Sequence, residues 1–462
     1  MKRQLFTLFG LLATASAYLN QETKRIGGNM KANLPYRKDA RAGARVLACT
    51  VLAVTLAALP CAAQNWFSQI ASSHAGGGVE HVFYVGVDQH IHELAYTPSS
   101  LIEVDLINAT RASVLPVVSL PIANLNVANT STTCSAPPCT AREDVFYVGT
   151  NGHIYQISGI PGNCCRYPGD DGYNWFWVDL TAAAGGPTNF GSVLAASSDT
   201  GGEHVYYLGS DAHLHQFYWN NTTWVNQDLT LLSGGSTGPV QGLTGFSDAA
   251  GEHVLYLNTT TGHLYQLFNS LNSNSWSNWD LTALSKGALD WGLSLAALGN
   301  SSSEPVPYAY YLGPNYNIYQ LFESASCFYR FCFFEWIDQD LTSATGTPAA
   351  NGWTSISSSA TLPAHVFYFG GSGDVHQLSS PSGYWTDQNL TLSAGGAPAS
   401  TDNCGKLPLT STQDQGGEHV YYVGWNSHIY QLLSPNGTTW GSIDLTMGAG
   451  APNNFAESCL IE

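Results

Sequence analysis

Hydrophobic and polar residues alternate in short runs along most of the chain, and one such run returns again and again. The clearest copies are GGEHVYYLGSDAHLHQFYWNNTTWVNQDLT at 201–230 and GGEHVYYVGWNSHIYQLLSPNGTTWGSIDLT at 416–446. Five weaker copies bring the number to seven, and successive copies lie 49 to 63 residues apart. Self-similarity at such a period indicates a repeat architecture.

Each copy predicts four short antiparallel strands. A strand of small residues such as 192–196 comes first, and the aromatic strand EHVYYLG follows it. A turn rich in Gly, Asn and Asp then leads into the strand HLHQF, and a Trp-containing strand closes the unit at Asp-Leu-Thr. A hairpin flanked by two further strands at this period is typical of one blade of a β-propeller.

The repeats therefore predict an all-β protein, a β-propeller of seven four-stranded blades, with a six-bladed ring as the alternative. Small first strands suit the crowded centre of such a ring, and the aromatic side chains would fill the space between blades. Residues 64–462 would form the propeller, with the tail 447–462 closing the ring or replacing the first strand of blade one. The predicted blades are 66–110, 111–181, 182–230, 231–282, 283–342, 343–391 and 392–446.

The first 63 residues differ from the rest in charge and hydropathy. Basic residues precede the apolar run 46–59, and small residues follow it at 61–63. This order predicts a signal peptide, and hence a secreted, periplasmic or cell-surface protein. A transmembrane anchor and a lipoprotein attached at Cys61 are the alternatives, and Met30 is a second candidate start.

The charge of the remaining chain bears on its partners. Residues 1–63 hold nine of the fifteen Lys and Arg residues and two of the thirty-three acids, which leaves a formal net charge of −25 on the rest. Because such a body cannot neutralise phosphates, we expect neither nucleic acid nor an anionic membrane as a partner. Nothing in the pattern predicts the oligomeric state.

Eight cysteines remain after position 63, and an even number in an exported chain predicts disulfides. No paired CxxC spacing occurs, so the cysteines do not predict a metal site. Three pairs would close a loop or tie the tail to the last blade: Cys134–Cys139, Cys327–Cys332 and Cys404–Cys459.

Two polar positions recur on the middle strands of five repeats, with a Trp on the last strand of four of them. A sugar needs planar hydrogen-bond partners for its hydroxyls and an aromatic ring for its C–H face, so these positions predict a carbohydrate site. In the alternative interpretation, His and Gln satisfy polar groups between blades and Trp is core. The candidate residues are His81, Glu93, His204, Gln216, Trp224, His253, Gln266, Trp279, His365, Gln377, Trp385, His419, Gln431 and Trp440.

Two recurrent acids are interpreted as structural. The Asp of Asp-Leu-Thr stands at a strand end, where a short acceptor usually caps a turn. The glutamates at Glu80, Glu203, Glu252 and Glu418 stand beside loop glycines, and we interpret them as turn residues.

The HxH pairs His90/His92 and His213/His215 place two imidazoles on one strand face, where zinc would require a third ligand. Since the other repeats break the pattern, a polar hairpin edge is the preferred interpretation, and no metal or cofactor is predicted. The repeats contain no blade-specific pair of carboxylates in one cleft and no GxSxG or HExxH motif, so no catalytic activity is expected.

The unit HVYYLGSDAHLHQFYWNNTTW resembles the repeat of the fungal fucose-specific lectins and their bacterial relatives, and its layout is similar to that of the seven-bladed bacterial propeller lectins. The resemblance covers most of residues 66–446 and implies sites for fucose-type sugars between adjacent blades. In that family an Arg on the aromatic strand and a Glu on the next strand bind the sugar. His81 and Glu93 of blade one are the most similar pair in this chain, since Gln replaces Glu in the other repeats.

Two functions from different classes follow. A multivalent lectin would gain avidity on a glycan-coated surface, and it requires His–Gln–Trp sets that face solvent clefts. A non-catalytic protein-interaction scaffold requires the same sets to be buried and bonded to one another. A glycan-cleaving enzyme would need an acidic pair in a central pocket.

Overall fold

The chain divides into two compact units, Met1–Gln64 and Asn65–Glu462, and every described residue belongs to the second. The structure, a computed structural model, describes residues 70–75, 79–97, 100–116, 122–127, 142–161, 173–199, 201–235, 238–270, 275–287, 294–298, 308–328, 331–352, 354–359, 364–381, 383–399, 407–414 and 416–453.

Two sequence predictions fall outside this range. The signal peptide lies within residues 1–63, and the cysteines at 134, 139, 164, 165, 404 and 459 are likewise not described. Cys327 and Cys332 are opposite each other in an antiparallel strand pair, but their side chains are not described either. The signal peptide and the disulfides therefore stay predictions.

The described strands form seven sheets, each with four antiparallel strands in sequence order. We number the sheets as blades along the chain. The strands of blades 1 to 4 are β1 (Ile70–Ala75), β2 (Val79–Val85), β3 (Ile91–Thr97), β4 (Ser100–Asp105), β5 (Ala123–Val127), β6 (Arg142–Val148), β7 (Ile154–Pro161), β8 (Tyr173–Asp179), β9 (Asn189–Ser198), β10 (Glu203–Gly209), β11 (Leu214–Trp219), β12 (Trp224–Asp228), β13 (Val240–Ser247), β14 (Gly251–Asn258), β15 (His263–Ser270) and β16 (Trp276–Asp280).

The strands of blades 5 to 7 are β17 (Leu295–Leu298), β18 (Tyr308–Leu312), β19 (Ile318–Phe328), β20 (Phe331–Asp340), β21 (Ser357–Ser359), β22 (His365–Phe369), β23 (Val375–Ser379), β24 (Thr386–Asn389), β25 (Leu409–Asp414), β26 (Gly417–Val423), β27 (Ile429–Ser434) and β28 (Gly441–Asp444).

The blades close into a ring. The first strand of each blade contacts the first strand of the next, and β1 contacts β25, so that blade 7 meets blade 1. Small polar side chains bridge these inner strands, as in the 3.0 Å hydrogen bond between Ser72 and Thr410 and the 2.7 Å bond between Ser357 and Ser411. The seven-bladed propeller predicted from the repeats is thus confirmed, and the six-bladed alternative is excluded.

The tail does not replace the first strand of blade 1, because β1 itself occupies that position. Residues just after the last blade instead contact blade 1 through their carbonyls. Pro452 accepts a 2.9 Å hydrogen bond from the Tyr84 hydroxyl, and Asn453 accepts a 3.0 Å bond from the Val87 amide. Residues 454–462 are outside the described range.

A five-residue helix follows the last strand of each blade, an element that the strand pattern did not predict. These helices begin with the Leu-Thr of the Asp-Leu-Thr motif. They are α1 (Leu106–Thr110), α2 (Leu180–Ala184), α3 (Leu229–Ser233), α4 (Leu281–Ser285), α5 (Leu341–Thr345), α6 (Leu390–Ala394) and α7 (Leu445–Ala449). Within the described ranges no helix has the length and apolar composition needed to cross a membrane.

Each residue of Asp-Leu-Thr has a structural part in this helix. In blade 3, Asp228 is the N-cap and accepts a 2.8 Å hydrogen bond from the Leu231 amide. Leu229 is fully buried, and the Thr230 hydroxyl accepts a 2.9 Å bond from the amide of Leu214 on β11. The structural role expected for the Asp is confirmed, although it caps a helix rather than a turn.

The hydrophobic core lies between blades rather than inside one sheet. Trp224 of blade 3 packs edge-to-face on Phe146 of blade 2, with ring centroids 6.4 Å apart. Trp440 of blade 7 packs in the same way on Phe367 of blade 6, at 6.3 Å. The prediction that aromatic residues fill the space between blades is confirmed, and the buried rings make each blade dependent on its neighbours.

Candidate functional site

The structure brings the predicted His and Gln (or Glu) side chains together in all five blades. The two residues stand on the paired second and third strands, and a ring nitrogen of His meets the amide or carboxylate across the pair. The pairs are His81–Glu93, His204–Gln216, His253–Gln266 at 2.7 Å, His365–Gln377 at 2.8 Å and His419–Gln431 at 2.9 Å.

A third partner comes from the next blade. At the boundary between blades 3 and 4, Glu252 of blade 4 accepts a 2.6 Å hydrogen bond from the Tyr206 hydroxyl and a bond from Gln216. Its carboxylate also lies 3.0 Å from Nδ1 of His204. Three donors of one blade therefore converge on one carboxylate of the next, an arrangement that we call a seam carboxylate.

The same arrangement recurs at two other boundaries. Glu80 of blade 1 accepts from Tyr421 and from Gln431 at 2.7 Å, and it lies 2.9 Å from His419 of blade 7. Glu418 of blade 7 accepts from Ser359 and lies 2.7 Å from His365 of blade 6.

The interpretation of these glutamates as turn residues is therefore wrong. Glu80, Glu252 and Glu418 lie on second strands and are at most 4% exposed. Glu203 begins β10 and is buried as well. A buried carboxylate is stable only with hydrogen-bonding partners, and the neighbouring blade supplies them.

The boundary between blades 2 and 3 uses a different set of charges. Arg142 of blade 2 bonds Glu203 of blade 3 and lies 2.8 Å from Asp144, which stands where other blades have His. Asp144 also accepts a 2.9 Å bond from Gln156. Burial raises the pKa of Asp144, against the opposing effect of the Arg142 charge.

Two histidines in the seams have raised pKa values. Burial lowers the pKa of His204, but the hydrogen bonds that its ring donates to Asp199 and Glu252 outweigh burial and raise the pKa to about 9. The pKa of His419 is raised in the same way by Glu80 and Asp414, against burial. Burial raises the pKa of Glu80, although the hydrogen bond and charge of His419 oppose that effect. Protonated His204 and His419 thus face carboxylates on both ring nitrogens.

The tryptophans do not all join the His–Gln pair of their own blade. Trp224, Trp385 and Trp440 stand four residues before the helix cap and pack on the preceding blade. Trp440, for example, lies at the boundary that holds His365 and Gln377. In blade 4 the equivalent position is Trp276, which packs on a core cluster formed by residues of blades 3 and 4.

Trp279 occupies a different position and is half-exposed. It stands directly opposite Gln266 in the β15–β16 pair and is therefore on the face of blade 4 that carries Gln266. Its side chain is 39% exposed, whereas Gln266 is 1% exposed. Of the predicted tryptophans, Trp279 alone pairs in register with the Gln of its own blade.

The boundary between blades 4 and 5 has no seam carboxylate among the described residues. The sequence has Pro307 where blades 1, 2, 3, 4 and 7 have Glu, and the amide oxygen of Gln266, like those of Gln216 and Gln431, is buried without a hydrogen-bond partner. Blade 4 also replaces the Tyr donor by Leu255. Among the described residues its His–Gln pair therefore lacks the Glu contact that the pairs of blades 3, 6 and 7 make with the next blade.

A row of aromatic rings crosses this face of blade 4. Phe246 stacks on His253 with ring centroids 4.6 Å apart, and His253 lies 4.7 Å from Phe268. Phe268 in turn lies 5.9 Å from Trp279 at the outer edge. We call these four residues the aromatic row. The sequence analysis did not predict Phe246 and Phe268 in this row, although the alternation of side chains along their strands could have placed them on this face.

Burial separates the predicted residues into two groups. The His and Gln (or Glu) side chains of blades 1, 3, 4 and 7 are at most 3% exposed and bonded to each other, as the scaffold hypothesis requires. Exposed aromatic surface on the predicted set is confined, within the described residues, to Trp279. No contact in the structure tests sugar binding by any of these residues, so that role stays a prediction.

Comparison with known proteins gives a likeness in fold. No protein-family model and no curated protein matches the chain. The BP39L lectin of Burkholderia pseudomallei superposes with a TM-score of 0.55 at 13% identity, over 82% of this chain and 99% of the lectin. The resemblance to propeller lectins that the repeat predicted is confirmed at the level of the fold.

Two fungal structures match at lower TM-scores. AofleA from Arthrobotrys oligospora matches at 0.39 and 16% identity, over 70% of this chain and 86% of that one. The lectin of Aleuria aurantia, described as a six-bladed β-propeller with a novel fucose recognition mode, matches at 0.41 and 14% identity, over 73% of this chain and 97% of the lectin.

Proposed function

We propose that this protein is a secreted, non-catalytic, carbohydrate-binding propeller of the lectin type. The fold that it shares with BP39L supports this proposal, as does an acidic body that is unsuited to phosphate-rich partners. A ring of similar blades also allows several weak sites to act together on one glycan-coated surface.

The observation that carries the proposal is the boundary between blades 4 and 5. The half-exposed Trp279 stands in register beside Gln266, an arrangement that the other predicted Gln–Trp pairs lack. A sugar that stacks on Trp279 would present its hydroxyls toward Gln266, and the aromatic row would extend the apolar surface inward. No seam carboxylate has to be displaced there, whereas a hydroxyl would compete with Glu252 at the boundary between blades 3 and 4.

We therefore assign the first sugar site to His253, Gln266 and Trp279. The other predicted pairs, including His81–Glu93 as the equivalent of the fucose-lectin pair, are proposed as further sites of lower affinity. Fucose-type sugars are the first ligands to examine, because the repeat resembles that of the fucose-specific lectins.

A glycan array with the purified, fluorescently labelled chain tests this function. We expect binding to a coherent set of sugars and a loss of about tenfold in affinity for Trp279→Ala, which is the scale of one aromatic–sugar contact. Trp425→Ala is the matched control, since Trp425 is an exposed Trp on a turn of blade 7 and is 67% exposed. A blank array from folded protein, or equal losses for both variants, would contradict the assignment.

One observation favours a second function, a protein-interaction scaffold. Apolar side chains are exposed on the helices that follow the blades, among them Leu231, Leu392 and Met447. Exposed apolar residues that cluster on one kind of element are typical of interaction surfaces. A blank glycan array, together with a partner protein whose binding is lost on Leu392→Ser, would favour this function.

A further inference from the structure

Acidic and imidazole side chains meet at the hairpin turn of blade 1, away from the seams. His92 is 2% exposed, and its Nε2 lies 3.0 and 3.1 Å from the two carboxylate oxygens of Asp88. Its Nδ1 lies 2.6 Å from Glu103. Asp105, the cap of α1, lies 2.7 Å from Nδ1 of His90 and offers a ligand atom within 4.8 Å of those of Asp88 and His92. We call Asp88, His92, Glu103 and Asp105 the turn cluster.

The protons of His92 do not suffice for these contacts when the ring is neutral. A neutral imidazole carries one N–H, yet both nitrogens of His92 face carboxylates. With the proton on Nδ1 toward Glu103, the lone pair of Nε2 points at the oxygens of Asp88. A cation held between Nε2 and Asp88 would satisfy this contact, as would a second proton on the ring.

We propose that the turn cluster binds one Zn²⁺ ion through His92 Nε2, Asp88 and Asp105. Zinc accepts imidazole and carboxylate ligands at about 2.0–2.2 Å in tetrahedral geometry, which sets neighbouring ligand atoms roughly 3.3 Å apart. The separation of 3.0–3.1 Å between His92 and Asp88 is close to that value. A water molecule would fill the fourth position.

Glu103 has the position of a supporting residue. A zinc-bound histidine usually donates its other N–H to a carboxylate, which fixes the tautomer and orients the ring. Glu103 accepts from Nδ1 of His92 and leaves Nε2 for the metal. The Asp88 side chain is 41% exposed, so an ion can reach the cluster from solvent.

The other blades supply an internal comparison. Blade 3 repeats the pair as Asp211 and His215, with 3.0 Å between His215 Nε2 and a carboxylate oxygen, and Asp228 completes the set. Asn226 stands where blade 1 has Glu103, and Nδ1 of His215 is buried without a partner. Blade 3 therefore has the ligands without the supporting carboxylate, and we expect weaker zinc binding there.

In blade 2 an uncharged pair of side chains stabilises the same hairpin turn. Asn151 and Tyr155 stand at the positions of Asp88 and His92, and the Asn151 amide donates a 2.9 Å hydrogen bond to the Tyr155 hydroxyl. Blade 7 has the same Asn–Tyr pair at 3.1 Å. This neutral pair keeps the hairpin joined, and it offers no donor set for zinc.

Zinc titration of the untagged, chelator-treated chain tests the proposal. We expect one tight equivalent, and binding should raise the unfolding temperature as the zinc concentration increases. Asp88→Asn combined with His92→Tyr copies the pair of blade 2 into blade 1. This double variant should lose the tight equivalent, with an unfolding temperature in chelator close to that of the unchanged chain. Glu103→Gln should keep the equivalent and weaken it about 10- to 100-fold.

Asp211→Asn with His215→Tyr is the matched control, and it should leave the tight equivalent in place. Cobalt in place of zinc should give the absorption of a nitrogen- and oxygen-bound ion without a thiolate charge-transfer band, which separates this site from the cysteines. The proposal is overturned if the chain holds no zinc, if the blade 1 variant binds it as tightly as before, or if the cobalt spectrum shows thiolate.

Discussion

At the scale of single residues, a glutamate just before the His position on the second strand forms the seam carboxylate that links its blade to the preceding one. Glu252 gathers a tyrosine, a histidine and a glutamine of the preceding blade, whereas the sequence has Pro307 and Ala364 at this position in blades 5 and 6. A single position in the repeat thus decides whether a boundary has a seam carboxylate.

Replacing Glu252 should make stability depend differently on pH. The pKa of His204 rises from 6.5 in the unfolded chain to about 9 in the folded one, so its charge stabilises the fold fully below pH 6.5 and progressively less up to pH 9. Glu252→Gln removes one of the two carboxylates responsible, and it should cost about 3 kcal/mol at low pH, as for a broken buried pair.

Denaturant unfolding of both proteins below pH 6.5 and above pH 9 measures this effect. The difference in the free energy of unfolding between the two proteins should decrease as the pH rises, because the unchanged chain loses the stabilisation from protonated His204. Glu335→Gln, at an exposed residue, is the control and should show no such trend. A difference that stays constant or grows with pH would contradict the assigned role of His204.

The sequence predicted the His–Gln pairs within a blade better than the residues that contact these pairs from neighbouring blades. His and Gln stand on adjacent strands of one hairpin, so local spacing was enough to pair them. The burial of Glu80 could not be predicted, because its partners Tyr421 and Gln431 are more than 300 residues away. Trp279 was aligned with Trp224 although Trp276 is the true equivalent, and counting back from the capping Asp would have shown it.

At the scale of secondary structure, the short helices matter as much as the strands. Each has a side-chain cap at its start and a left-handed residue after its end, and in five blades that residue is Gly. Arg111 and Lys286 take the same conformation in the other two, with φ of 56°. The hydrophobic pattern did not predict these helices, because five residues are too few to show a 3.6-residue repeat.

Lys286→Gly should stabilise the protein. A side-chain residue in the left-handed region costs about 1–2 kcal/mol, and the added freedom of Gly in the unfolded chain offsets part of the relief, so a net gain of about 0.5 kcal/mol is expected. Gly234→Ala is the converse change at φ of 64°, where an added Cβ meets nothing within 4 Å. It should lower the free energy of unfolding in denaturant titrations, and a loss of stability for Lys286→Gly would contradict the account.

At the scale of the whole molecule, the boundary between blades 7 and 1 brings together the last and first described blades, and within the described residues no chain segment links these two blades. Glu80, Leu101 and Tyr421 close it through one seam carboxylate and one apolar cluster. A noncovalent joint of this kind can open without unfolding any blade, so its local stability differs from that of the other boundaries.

Glu80→Gln should therefore open the ring locally. Native-state hydrogen exchange should speed up in β1 and β26, while the strands of blades 3 and 4 keep their protection. Glu418→Gln, at a boundary that the chain itself spans, is the matched control and should change exchange less. Equal effects of the two variants would show that ring closure does not depend on Glu80.

The joint between the last and first blades has a consequence for the order of the blades. At this joint a Tyr, a Gln and a His contact one Glu of the next blade, as they do at the boundary between blades 3 and 4. Each blade is built only from its own four strands. The ring therefore has no chemically distinct beginning. A circular permutant that joins blade 7 to blade 1 and starts at another blade would present the same seven boundaries, so gene rearrangement can shift the starting blade without redesigning an interface.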